Sequence, residues 1–178
     1  MTRPRILIAG IGNIFLGDDA FGVEVAQRLA RRPLPEEVRV VDFGIRGLDL
    51  TYALLDGYES VILVDAVSRG GPPGTLYVLE LELDDNQETK NSGTLLEMHH
   101  LDPAKVLRLA ASMGTKVERL LLVGCEPAET GGDVDIRDGL SDPVRWAVDQ
   151  AVPLIESLTE RLLRGEKSEP IKNPILSP

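Results

Sequence analysis

Short apolar runs that end in a glycine or an acid, separated by stretches of helical period, recur along this chain. Ile6-Leu7-Ile8-Ala9 is broken by Gly10-Ile11-Gly12-Asn13. Val38 to Val41 ends in Asp42-Phe43-Gly44, Ser60 to Val64 ends in Asp65-Ala66, and Lys116 to Val123 ends in Gly124. Apolar runs of this length, bounded by turn residues, read as strands buried on both faces. Between the first two, Phe21, Val25 and Leu29 recur every four residues from Asp19 to about Arg31, and Pro33 and Pro35 stop that helix. Leu48, Tyr52 and Leu55 predict the stripe of a second helix. Asp102-Pro103 opens a third, with Asp as N-cap and Pro at the first helical position. A fourth runs from Ser141 to about Arg164, with Pro153 inside it expected to kink it. Thr75 to Leu83 alternates apolar and polar residues, the pattern of an antiparallel edge strand. The order implies a three-layer α/β/α sandwich around a five-stranded, mostly parallel sheet with one antiparallel strand.

At 178 residues the chain holds one α/β domain, expected over residues 1–164. Residues 165–178 carry three prolines and are expected to form a poorly ordered tail. Lys and Arg number 19 and Asp and Glu 29, a net charge of −10. That balance disfavours nucleic acid and anionic membranes, whose phosphates call for basic residues. The lone Cys125 excludes an internal disulfide, a cysteine-rich zinc site and an iron–sulfur cluster, and reads as a small apolar residue. No apolar run approaches the roughly 18 residues of a membrane span. The apolar stretch near the N-terminus is too short for a signal-peptide core, so a cytoplasmic protein is expected.

The glycine turn after the first strand does not fit a dinucleotide fingerprint, because Phe15 stands at the third glycine position. Asp18-Asp19 at the next helix start would repel a phosphate and suit a cation. Acids or amides also follow the other parallel strands: Asn13 after the first, Asp42 after the second, Asp65 after the third and Glu126 after the last. The two histidines, His99 and His100, precede the third helix. Carboxylates with one imidazole make a site for zinc, nickel or manganese, and three protein ligands would leave positions open for substrate or water. Singly, each residue has a plainer reading. Asp18 reads as an N-cap, Asp42 and Asp65 as Asx turns, the histidines as surface residues, and Glu126 and Glu129 as solvated loop charges. Convergence on one sheet edge favours a site.

Gly10-Ile11-Gly12-Asn13 followed by Asp18-Asp19-Ala20-Phe21-Gly22-Val23 resembles the opening signature of the [NiFe]-hydrogenase maturation proteases. The likeness continues through Asp42-Phe43-Gly44, Gly47-Leu48, Val64-Asp65-Ala66, Pro73-Gly74-Thr75, Met98-His99-His100-Leu101 and Val123-Gly124-Cys125-Glu126-Pro127. The resemblance implies an endopeptidase that removes a C-terminal extension from the hydrogenase large-subunit precursor after nickel insertion. By motif position it implies Asp19, Asp65 and His99 as metal contacts, His99 being preferred to His100 for its spacing to Asp102. It implies Asp19 or Asp65 as general base, unless the metal itself activates water, and hence an aspartic-type label. Asn13, Asp42, Gly44 and Gly47 are expected to line a substrate channel. Nickel would arrive with the substrate, so no tightly bound cofactor is expected, although zinc, cadmium or a similar divalent ion could occupy the isolated site. The precursor is the expected partner of a free monomer. Two alternatives stand beside this reading: a phospho-receiver-like module with Asp65 as phosphoacceptor, and an unrelated metal-dependent aminopeptidase or amidase.

Overall fold

The first apolar run, Ile6–Ile11, forms β1, and all six of its residues are buried. The chain is described here from a computed structural model covering residues 4–81, 102–128, 139–166 and 175–178. After β1 come a single 3-10 turn, Gly17–Ala20, and helix α1, Phe21–Leu29. Then follow β2 (Val38–Gly44), α2 (Gly47–Leu54), β3 (Ser60–Ala66), β4 (Leu76–Leu81), α3 (Pro103–Ser112), β5 (Arg119–Cys125) and α4 (Asp142–Leu163). The five strands order as β2-β1-β3-β5-β4, and only the β4–β5 pair is antiparallel.

Alternation along the strands sorts the core into two layers. Ile6 and Ile8 of β1, with Ile62 and Val64 of β3, meet Phe21, Val25 and Leu29 of α1 and the long apolar face of α4. Leu7, Ala9 and Ile11, with Val61 and Leu63, face Leu50 and Leu54 of α2 and Val106, Leu107 and Ala110 of α3 on the opposite side. Each fully buried side chain of this kind stabilises the fold by about 1.5–3 kcal/mol. The expected three-layer sandwich is therefore the observed one.

Several local expectations need correction. The apolar runs continue further than their hydrophobic residues suggest, so that Asp42 and Asp65 lie inside β2 and β3 and not after them. The last strand starts at Arg119 and runs to Cys125, later than the expected Lys116 to Val123. The stripe assigned to α2 faces solvent: Leu48 is 60% and Tyr52 56% exposed, whereas Leu50 and Leu54 are buried. Apolar residues surround this short helix, so periodicity alone does not select its inner face. Asp102 does cap α3, accepting from the Ala104 amide at 2.9 Å. Residues 175–178 include a bridge to β4: the Leu76 amide donates to the Leu176 carbonyl at 2.8 Å and the Ile175 amide to the Leu76 carbonyl at 2.9 Å. No helix among the described residues is long and apolar enough to cross a membrane.

Candidate active site

Strand β1 hands the chain to β2 on one side, and β3 then enters on the other side of β1. Loops leaving β1 and β3 therefore diverge at their carboxyl ends, the place where open α/β sheets bind ligands. Asp19 follows β1 and Asp65 lies near the end of β3.

Glycines bring the Asp19 turn down onto the sheet. A Cβ at Gly22 would lie 2.0 Å from the Val64 carbonyl oxygen and 2.3 Å from that of Ile11, so α1 meets the backbones of both strands directly. Gly12 has φ +145°, and a Cβ there would lie 1.8 Å from the Asp19 carbonyl oxygen. Residues 13–19 then close on themselves. The Asn13 amide donates to Asp19 Oδ2 at 2.7 Å, the Phe15 amide to Asn13 Oδ1 at 3.0 Å, and the Asp19 amide to the Leu16 carbonyl at 3.2 Å.

Asp65 accepts from the Ala66 amide at 2.8 Å. Its carboxyl is pushed well above the usual carboxylate range, first by burial and then by the negative charge of Asp19, against the opposing pull of the Ala66 amide. An acid on the turn after β1 thus acts on an acid at the end of β3 and disfavours its ionisation. Such a pair suits a divalent cation, which would relieve both the repulsion and the desolvation.

The other expected site residues divide. Asp42 Oδ2 accepts from Gln27 on α1 at 3.1 Å, and its carbonyl accepts from the Arg46 guanidinium. Gly44, at φ +54°, accepts the Gly12 amide at 3.0 Å and ties the β2 loop to the β1 loop, while Gly47 opens α2. His99 and His100 lie outside the described residues. Within the described residues no group of three His, Cys, Asp or Glu side chains is placed to hold a metal.

Two acids read as ordinary are neither caps nor solvated charges. Asp18 is 5% exposed and does not cap a helix. It accepts from the Ser141 amide at 2.7 Å, the Ser141 hydroxyl at 2.8 Å and the Ala128 amide at 2.9 Å. Glu126, also 5% exposed, accepts from the Arg69 amide at 2.8 and 3.0 Å, the Gly70 amide at 3.1 Å and the Tyr77 hydroxyl at 3.0 Å. The available signal for Glu126 was a charge set directly behind a buried strand. For Asp18 it was a second acid where one would serve.

A family model described as hydrogenase maturation protease matches residues 23–158. The chain belongs to the hydrogenase maturation protease family. Among the relatives of this protease is the hydrogenase expression/formation protein HoxM of Azotobacter vinelandii, 35% identical over 90% of this chain and 75% of its own. The solved hydrogenase maturating endopeptidase HybD from E. coli superposes with a TM-score of 0.71 at 29% identity, over 90% of this chain and 94% of that one. A hydrogenase 2 maturation peptidase from Thaumarchaeota archaeon SCGC_AB-539-E09 does so with 0.66 at 32% identity, over 88% and 98%. The receiver-like alternative and the unrelated amidase give way to a maturation protease whose sheet and helices match those of its relatives.

Proposed function

We propose that this maturation protease removes the C-terminal extension of a [NiFe]-hydrogenase large-subunit precursor after nickel insertion, reading the bound nickel as proof of a finished site. The observation that supports this most is the placing of Asp19 and Asp65 at the switch point of the sheet, where burial and the charge of Asp19 raise the Asp65 carboxyl. In this reading Asp19, Asp65 and His99 complete the coordination of a nickel ion that belongs to the substrate. Anchoring the ion holds the scissile peptide beside the two carboxylates, which supplies proximity and orientation. Water attacks the scissile carbonyl as Asp19 or Asp65 takes its proton, and that carboxyl then returns the proton to the leaving nitrogen as the C–N bond breaks. Asn13 after β1, Asp42 and Gly44 at the end of β2 and Gly47 at the start of α2 would line the path of the peptide.

The test is cleavage by the purified protein with no metal added. Nickel-loaded precursor is expected to be cut and nickel-free precursor to remain intact. Equal cleavage of both would make the protein a hydrolase indifferent to nickel. Asp19→Ala, Asp65→Ala and His99→Ala are each expected to abolish processing with the fold retained, checked by circular dichroism. Ordinary activity in any of them removes that residue from the site.

A further inference from the structure

Asp18 and Glu126 are the two most deeply buried carboxylates among the described residues; Glu126 stands in the short segment 125–128 that leaves β5, and Asp18 binds that segment. This segment lies beside the end of β3, with Ala66 paired to Cys125 and the Val67 amide donating to the Cys125 carbonyl at 2.9 Å. Its own backbone is fixed. The Glu126 amide donates to the Thr75 carbonyl at 2.9 Å, and the Gly74 amide donates to the Glu126 carbonyl at 2.8 Å. From that anchored point the Glu126 carboxylate gathers the Arg69 and Gly70 amides, four and five residues past Asp65. Two residues on, the Ala128 amide binds Asp18, the immediate neighbour of Asp19. Asp18 also takes both donors of Ser141, which ties the start of α4 to the same turn.

We propose that Asp18 and Glu126 are positioning residues. Through segment 125–128 they brace the Asp19 turn and the Asp65 loop against each other and fix the separation of the two carboxylates. The proposal rests on Asp19 and Asp65 acting on the substrate. Burying two carboxylates is costly, and both are hydrogen-bonded: Glu126 to the loop after Asp65 and to Tyr77 of β4, Asp18 to segment 125–128 and to the start of α4. A mere packing role would need no charge at either place. Sites of this kind demand supporting groups that hold the acting side chains to within about 0.5 Å.

The chemistry of the donors chooses the variants. Asp18 receives the Ser141 and Ala128 amides on different oxygens, so in Asp18→Asn one of the two amides must face an NH2 group. Glu126 holds the Gly70 amide and the longer branch of the Arg69 amide on Oε1, and the shorter Arg69 branch and the Tyr77 hydroxyl on Oε2. Glu126→Gln with its carbonyl at the Oε1 position keeps the Gly70 amide and one branch of the Arg69 amide, while the Tyr77 hydroxyl turns to accept from the new NH2 group. Glu126→Ala loses all three partners.

Cleavage of nickel-loaded precursor is measured for Asp18→Asn, Glu126→Ala, Glu126→Gln and the Asp18→Asn/Glu126→Ala pair, below the melting temperature of each. For Asp18→Asn and Glu126→Ala, kcat is expected to fall roughly 10- to 100-fold, with KM within about twofold. Glu126→Gln is expected to recover kcat to within about threefold of the parent. The pair should fall about as far as the worse single variant, because a link broken at one end has little left to lose at the other. Unchanged kcat in folded Asp18→Asn or Glu126→Ala overturns the brace, as do losses that multiply in the pair or a Glu126→Gln variant as slow as Glu126→Ala. Asp19→Ala, run alongside, separates the two ideas: its full activity would overturn the underlying site, whereas its inactivity with unchanged kcat in Asp18→Asn would overturn the brace alone.

Discussion

The carbonyl oxygen of Asp19 lies 1.8 Å from where a Cβ of Gly12 would stand. Backbone meets backbone there, so no side-chain rotation relieves the clash, and the φ of +145° is itself unfavourable for any other residue. Gly12→Ala must therefore push the Gly17–Ala20 turn, and Asp19 with it, away from β1. Cleavage is expected to drop at least about 100-fold, since displacements near 1 Å cost that much in oriented sites. Gly114→Ala is the control, having φ +89° and nothing within 4 Å of its Cβ position. It is expected to lower stability by about 1–2 kcal/mol and leave kcat unchanged. Urea denaturation and the cleavage assay check both.

Asp65→Asn is expected to stabilise the protein while removing its activity. The Asp65 carboxyl is raised in the folded state, so the unfolded chain releases the proton more readily. Below the ordinary carboxylate pKa of about 3.9 this has no cost. As pH rises through the interval up to the raised folded value, the native state loses stability relative to the unfolded one. Asparagine keeps an acceptor for the Ala66 amide and carries no charge to desolvate. The melting temperature of Asp65→Asn should exceed the parent's by about 2–4 °C at neutral pH, corresponding to about 1 kcal/mol in a chain of this size. The gap should close toward pH 3.5. Sites that confine like charges trade stability for function in this way.

Much of this fold is legible in the residues themselves. The apolar runs of β1, β3 and β5 stand out because a parallel sheet covered on both faces needs uninterrupted apolar side chains, whereas β4, read as having one polar face, buries Leu76 and Val78 on one side and Tyr77 on the other. The placement of Asp19 after β1 and of Asp65 at the end of β3 is also legible, since an acid there is close in sequence to the element that places it. Asp18 and Glu126 are not. Their partners lie between 49 and 123 positions away, and most are backbone amides. An amide belongs to nearly every residue and leaves no mark in the sequence. The inner face of α2 is hidden for a different reason: Leu48, Leu50, Tyr52, Leu54 and Leu55 offer apolar groups all round, and only the sheet beneath decides among them.

That decision has a measurable consequence. Leu50 is fully buried beneath α2 and Leu48 is 60% exposed, though they stand two residues apart. Leu50→Ala removes packed atoms and leaves a cavity, for an expected loss of about 2–5 kcal/mol. Leu48→Ala removes side-chain atoms already in water and should shift stability by no more than about 0.5 kcal/mol. Urea midpoints of the two variants test the assignment, and similar losses would mean that α2 is rotated from the orientation described.

Cys125 closes β5 fully buried, and its thiol is raised to about 12, chiefly by burial and further by the charges of Asp18 and Glu126. At pH 8 the thiolate is then roughly one part in ten thousand of the folded population, and access is blocked as well. A nucleophilic cysteine needs the reverse environment, with its pKa lowered by cations and its sulfur within reach of solvent. Iodoacetamide at pH 8 should accordingly leave the native protein unlabelled over hours, with cleavage intact, and should label one site rapidly in 8 M urea, a concentration on the order of that which exposes buried thiols. Labelling in the native state would be limited by opening of the β3–β5–β4 region and should slow as the protein is stabilised. Stoichiometric native labelling with loss of cleavage would place the thiol at an exposed reactive position and contradict the packing around residue 125.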